Sequence, residues 1–443
     1  MTAPVLVVGG GLAGSEAAWQ LAEAGIPVRL VEMRPVRTTP VHPGDRLAEL
    51  VCSNSLRGDS PTNAVGLLKR EMEALDSLIV RCARATAVPA GGALAVDRGR
   101  FAGLVTRTLE EHPLVTVERA EVTALPEGPA IVATGPLTSE ALHRSLEAVL
   151  GEGSLAFYDA VAPIVAADSL DMDRLFAASR YGRGDADYLN APLDREAYER
   201  FVAALLGAGQ VPLREFEADA VFFEGCLPIE EMARRGPDTL RYGPMKPVGL
   251  VDPRTGQRPW AVVQLRQDDL AAEHWNLVGF QTRMRQGEQR RVFRMIPGLE
   301  NARFVRYGMI HRNTYVNAPA HLDAGLRLRA RPAVRLAGQM TGVEGYVESA
   351  ATGLLAGRFL AAELAGRPLS PPPRTTALGG LVRHLTERPA SRFEPSNVTW
   401  GLIACPPELR TVRPKAARRE AMAAAAVEAV RRWALGATAS SGR

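Results

Sequence analysis

The apolar run at residues 3–9 ends in Gly9-Gly10-Gly11-Leu12-Ala13-Gly14, and few folds begin this way. A continuous apolar stretch bounded by glycine is the pattern of a parallel strand buried on both faces. Residues 11–24 then carry the apolar spacing and alanines of a helix, and residues 27–32 read as a second strand. The strand–helix–strand context gives the G-x-G-x-x-G spacing its force. Gly9 allows the tight turn, Gly11 the close approach of a pyrophosphate, and Gly14 the contact between helix and strand. Gly10, Leu12 and Ala13 complete the loop, whose amides open the helix and favour a phosphate. Glu32 falls 18 residues after Gly14, where an acid accepts hydrogen bonds from ribose hydroxyls. These residues predict a bound dinucleotide.

Two later segments favour FAD over NAD. Residues 129–135 form a short apolar strand ending in Thr134-Gly135, a pattern common in flavoproteins of the two-nucleotide fold. Residues 333–338 repeat the theme and pass into Gly338-Gln339-Met340-Thr341-Gly342-Val343-Glu344-Gly345-Tyr346, with a helix expected from 346 to 364. Its glycines let backbone approach a flavin, and its helix start directs amides toward the flavin carbonyls. The expected fold is α/β: a Rossmann-type FAD-binding domain of the two-nucleotide flavoprotein kind, with an inserted α+β domain. The FAD-binding parts are placed at 1–150 and 301–370, and the insertion, as the substrate side, at 151–300. A basic C-terminal extension with an Ala/Arg-rich helix is placed at 371–443. Residues 366–374 read as a proline-rich linker.

Composition excludes several classes. Hydrophobic residues make up 46% and charged residues 23% of the 443 positions, ordinary for a chain with a real core. No run of about 18 apolar residues offers a membrane span, and the first residues lack the pattern of a signal peptide, so a cytoplasmic location is expected. The four cysteines (Cys52, Cys82, Cys226, Cys405) are widely spread, with no metal-binding spacing. Residues 371–443 hold 12 Lys+Arg against 5 Asp+Glu, a balance of 12 − 5 = +7 within a net charge of +4. Such a tail suits contact with a phosphate backbone or serves as a solvated face.

GGGLAGSEAAWQLA, VEMRP, LVCSNSLRGD, FFEGCLPIEEMA, RYGPMKPVGL, HWNLVGFQT, HRNTYVNAP and GQMTGVEGYVESAATGL together resemble the folate- and FAD-dependent tRNA (uracil-5-)-methyltransferases. The resemblance covers nearly the whole chain. A more distant likeness is to the larger flavoprotein that modifies the wobble uridine of tRNA, whose long helical C-terminal region has no counterpart here. The resemblance implies methylenetetrahydrofolate as one-carbon donor, reduced FAD as carrier and reductant, and NADPH or NADH to re-reduce the flavin. The implied acceptor is C5 of the T-loop uridine of tRNA, which becomes ribothymidine. Neither an obligate protein partner nor a membrane is expected. A flavin oxidoreductase acting on a small molecule is the alternative from another class.

C5 of uracil is a poor nucleophile until a thiolate adds to C6, and a base must then remove the C5 proton. With the family in view, Cys226 is assigned as nucleophile and Cys52 as general acid/base or flavin-side partner; the two roles can be exchanged. Pro228 and two acids after Cys226 mark a helix start. Cys82 and Cys405 are read as structural. His311 is the candidate for stacking on the folate pterin, with Asn313 and Arg283 for folate or phosphate contact. Lys246 either anchors substrate or caps a turn.

Overall fold

The computed structural model describes residues 3–39, 41–42, 44–151, 156–182, 185–211, 227–367 and 369–436, without the side chains of 156–161, 309–314 and 392. A six-stranded sheet has the order Arg327–Leu328, Arg331–Leu336, Ala130–Val132, Val5–Val8, Val28–Glu32, Val115–Arg119. All its neighbours are parallel except the first pair. Val7, Leu30, Ile131 and Leu336 are completely buried in it, as expected where both faces of a parallel sheet are covered.

The helix Leu12–Glu23 lies against the long helix Tyr346–Leu364. Small residues permit this approach: a Cβ on Gly353 would fall 2.1 Å from the Ala13 carbonyl oxygen, and one on Gly357 2.9 Å from that of Ala17. The long helix keeps the predicted bounds, and the strand expected at 333–338 is observed at Arg331–Leu336.

A second six-stranded sheet has the order Phe176–Ala177, Tyr188–Leu193, Ala261–Gln267, His274–Leu277, Ile164–Ala166, Phe304–Arg306, antiparallel throughout. It has its own buried apolar cluster, in which Phe201, Phe280, Phe293 and Phe304 follow one another at centroid spacings of 6.1, 5.6 and 6.4 Å. This sheet runs past residue 300 to include Phe304–Arg306. The strand Met309–Thr314 then pairs antiparallel with Ala156–Val161, so the chain's entry to and exit from this region lie side by side. A three-stranded sheet is built from Ser55–Gly58, Ala87–Val88 and Ala93–Val96.

The C-terminal segment is integral to the first core. Leu378, Leu381, Met422, Val430 and Trp433 belong to the same buried cluster as the parallel sheet. Buried Glu71 fastens the helix Ala377–Glu387 there, accepting from the backbone amides of Ala377 (2.7 Å) and Leu378 (2.9 Å). Those are first-turn donors that would otherwise lack partners. Among the described residues no helix is long and apolar enough to cross a membrane.

Candidate functional site

The glycine loop is shaped by two tight contacts and one open one. A Cβ on Gly9, where φ is +99°, would fall 2.6 Å from the Ala133 carbonyl oxygen, and one on Gly14 would fall 1.8 Å from that of Gly9. At Gly11 it would meet nothing within 4 Å. The helix that begins at Leu12 has neither a side-chain cap at Gly11 nor an acid in its first turn. An open approach over uncapped helix-start amides fits a dinucleotide pyrophosphate. A cleft lined by Gly9, Gly11, Glu32, Arg34, Ala120 and Thr134 opens there, at the carboxyl ends of four parallel strands. That is where ligands bind in such sheets. Gly10, with Leu12 and Ala13, forms the buried part of the loop.

Glu32 has partners that its position did not predict. Its carboxylate accepts from the Gly10 amide (2.8 Å) and from the Arg34 amide (3.0 Å) and Nε (2.8 Å). Arg34 is itself buried and also pairs with Glu49 at 2.7 Å. Burial alone would raise the Glu32 carboxyl, but the Arg34 bonds and charge and the Gly10 amide outweigh it and hold it below its ordinary range. Glu32 therefore locks the glycine loop to the second strand as a charged group.

Gly338, Gly342 and Gly345 have φ of +84°, +88° and +103°, which is left-handed backbone that other residues adopt only under strain. A Cβ on Gly338 would come within 3.0 Å of Ala13, so this segment abuts the glycine loop. Its amide donates to Thr352 Oγ1 (2.7 Å), while Gln339 Nε2 reaches Glu344 at 3.1 Å. Thr134 Oγ1 lies 3.8 Å from Met340 Sδ, and Gly135 turns the chain at φ +65°.

Cys52 joins this cluster. Its amide donates to the Tyr346 hydroxyl at 2.7 Å, and the Ser53 amide does so at 3.1 Å. Its carbonyl accepts from Arg306 Nη2 at 3.2 Å. Burial, then the neighbouring Cys52, push the Tyr346 phenol well up, so the hydroxyl stays neutral. Arg266 donates to Asn54 Oδ1 (2.9 Å) and Ser53 Oγ (3.2 Å), and Asn54 Nδ2 donates to the Gln267 carbonyl (2.8 Å). The Cys52 turn is thus fastened on one side to the long helix and on the other to the second sheet.

Several residues that the sequence did not single out support that turn. Arg57 pairs with buried Glu348 and donates to Asn397. Lys69, fully buried, donates to the carbonyls of Leu56 and Gly58 at 2.9 Å each, and burial pushes its amine down to about 8. Arg306 is pushed down to about 10, by burial first and Arg98's charge second. Arg34 in VEMRP and Arg57 in SLRGD stood within quoted motifs. Arg306 gives no local signal, because its partner Cys52 is distant in sequence, and nothing in the residues around Lys69 marks it as buried.

The remaining predicted residues divide. Cys226 lies outside the described residues. The helix after it, Ile229–Arg234, starts behind Pro228 as expected, and its Ile229 amide donates to the Gln281 carbonyl at 2.8 Å. Arg283 meets that helix, donating through its amide to Glu230 (2.8 Å) and through Nη2 to Glu231 (2.7 Å). His311 and Asn313 stand opposite Asp159 and Phe157 in the paired strands. Two residues past that strand, the Val316 amide donates to the Met340 carbonyl at 2.7 Å, so the strand leads into the glycine segment. Lys246 is half-buried in a turn, its carbonyl held by Arg180. Cys82 is buried, its thiol pushed up to about 11 by burial, and Cys405 is half-buried. Among the described residues no cluster of three or more His, Cys, Asp or Glu is placed to hold a metal.

The family model described as glucose inhibited division protein A matches residues 4–368. A methylenetetrahydrofolate--tRNA-(uracil-5-)-methyltransferase TrmFO of Rhodospirillum rubrum is 59% identical over 424 residues, covering 94% of this chain and 88% of that one. The protein of the same name from Geobacter sulfurreducens is 57% identical, over 98% of this chain and 99% of its own. Among solved structures, GidA of Aquifex aeolicus superimposes with a TM-score of 0.70 over 98% of this chain and 74% of that one, at 16% identity, a likeness of fold. By both its motifs and these matches, the chain belongs to the TrmFO family of methylenetetrahydrofolate--tRNA-(uracil-5-)-methyltransferases, within the group described by the glucose inhibited division protein A model.

Proposed function

We propose that this chain transfers a one-carbon unit from methylenetetrahydrofolate to C5 of the T-loop uridine of tRNA, forming ribothymidine, in the cytoplasm. FAD would sit over the Gly9–Gly14 loop, and NADPH or NADH would provide electrons. The bound flavin would supply the carrier and reductant for the one-carbon unit. Glu32, with Arg34 and Thr134, would hold the nucleotide end of the cofactor, and the Gly338–Tyr346 segment would face its flavin end.

The observation that carries this reading is the placement of Cys52 against Tyr346, at the start of the helix that follows the glycine segment. Its turn is pinned at both amide and carbonyl, so the backbone that carries the thiol is held against the start of that helix. A thiolate adding to C6 of uracil turns the ring into an enolate competent at C5. Cys226 is assigned that role, and Cys52 that of taking the C5 proton. Arg283 would steady the Cys226 helix through Glu230 and Glu231. His311, Asn313 and Lys246 would serve the folate or the RNA.

The test uses Cys52→Ala, Cys226→Ala and the double variant, each with full flavin content, in an assay of ribothymidine formation. Each single variant should lose at least about 1,000-fold in rate, with the double no worse than the poorer single, as for residues acting as a unit. Ribothymidine formed at the parent rate by the double variant would overturn the thiol mechanism.

A further inference from the structure

Some exposed arginines of this protein sit on carboxylates, as Arg174 does on Glu300, Arg195 on Glu199 and Arg303 on Asp168, and others, such as Arg100 and Arg107, have none within 4.0 Å among the described residues. One patch gathers cations of the second kind. Between residues 400 and 422 lie Arg410, Arg413, Lys415, Arg418 and Arg419 against only Glu408 and Glu420. None of the five cations has a carboxylate oxygen within 4.0 Å among the described residues. Arg413 Nη1 instead donates to the carbonyls of Arg410 (2.9 Å) and Val412 (3.1 Å), and Arg418 Nη1 to that of Arg410 at 3.4 Å. Carbonyl bonds orient a guanidinium without neutralising it.

The patch has a shape as well as a charge. Lys415, Arg418, Arg419 and Met422 recur at helical spacing on the helix Lys415–Ala434, so they share one face. With Arg410 and Trp400 they line a groove, and the Arg419 guanidinium lies 5.4 Å from the Trp400 ring centroid. Trp400 ties the groove to the site. Its indole N–H donates to the Thr62 carbonyl at 2.8 Å. Three residues earlier Asn397 accepts from Arg57 of the Cys52 turn, and three residues span no more than about 10 Å. A row of cations flanking an aromatic face, joined through Asn397 and Arg57 to the Cys52 turn, matches the phosphates and bases of a folded RNA.

We propose that the groove formed by Trp400, Arg410, Lys415, Arg418 and Arg419 is the surface that seats the tRNA backbone next to the Cys52 turn. The inference rests on the tRNA reading above and adds the location of the contact. A protein partner with an acidic face is the competing occupant.

The experiment compares the parent flavoprotein with the triple variant Arg410→Ala/Arg418→Ala/Arg419→Ala. Affinity for unmodified tRNA is measured across roughly 50 to 200 mM salt, alongside flavin content and flavin reduction by NADPH without RNA. The variant should bind about 10- to 100-fold more weakly, with a salt slope shallower by about 2 to 3, and with flavin content and reduction unchanged. An unchanged affinity and slope, in a parent that does bind tRNA, overturns this surface and leaves an acidic protein as its occupant. A parent that binds no tRNA even at low salt overturns the substrate reading itself, and the groove's role with it.

Discussion

Glu32 shows how a single side chain links the sequence to the site. Its carboxylate is buried among the Gly10 amide and the Arg34 guanidinium, and Arg34 also pairs with Glu49. Removing the Glu32 carboxylate leaves Arg34 paired with Glu49 but takes the acceptor from the buried Gly10 and Arg34 donors, which costs about 1 to 3 kcal/mol or more. Glu32→Ala is therefore expected to lower unfolding stability in urea by that amount and to purify with reduced flavin. His384 offers a prediction in pH. Burial, and then the charge of Arg388, push its imidazole down to about 4 from an ordinary 6.5, and the ring lies 5.2 Å from Phe393. The folded state keeps it neutral while the unfolded chain takes up a proton below its ordinary value. Stability should therefore fall as pH drops from 6.5 toward 4, by roughly 3 kcal/mol. His384→Leu should flatten that part of the curve, and an equal loss in the variant would refute the assignment. Glu32 was legible because an acid at the end of the second strand follows from fixed spacing. His384 and Lys69 were not, because burial of a polar residue is decided by elements far away in sequence.

At the level of elements, the two helices that meet through Gly353 and Gly357 control the site, because the start of the longer one carries Tyr346. Gly353→Val would place side-chain carbons inside the Ala13 backbone. The helices would have to separate, at a cost of about 3 kcal/mol or more. Loss of both Tm and flavin is the expected outcome, whereas an unshifted melting curve would show that the helices do not meet there. Tyr346→Phe is milder. It removes the acceptor for the Cys52 and Ser53 amides, and a misplaced thiol of this kind costs about 10- to 100-fold in kcat. Flavin content should hold, and a kcat equal to the parent's would mean that the hydroxyl does not position the turn. The long helix was readable to the residue because its apolar spacing and glycine-rich start are local signals. The fastening of the Cys52 turn to the second sheet through Arg266, Asn54 and Gln267 was not, since it joins positions more than 200 apart.

At the scale of the molecule, the chain alternates between two sheets of different grammar, and the Cys52 turn bonds to both the long helix and the second sheet. Sequence patterning separated the parallel region from the antiparallel one, because continuous apolar runs differ from short strands broken by proline turns. It misjudged the edges: the second sheet takes in Phe304–Arg306, and the basic C-terminal segment is packed into the first core through Met422, Val430 and Trp433. A basic tail reads as an appendage when only its charge is counted, while the apolar face that docks it is spread thinly among alanines. The account's central claim is that the carbon placed on uridine comes from folate and passes through a flavin-dependent site. The most direct measurement incubates the purified flavoprotein with unmodified tRNA, NADPH and methylenetetrahydrofolate labelled in its methylene carbon, followed by nucleoside analysis. Label in ribothymidine, dependent on the reduced coenzyme, is the predicted result; label that enters only when S-adenosylmethionine is the labelled donor would contradict it.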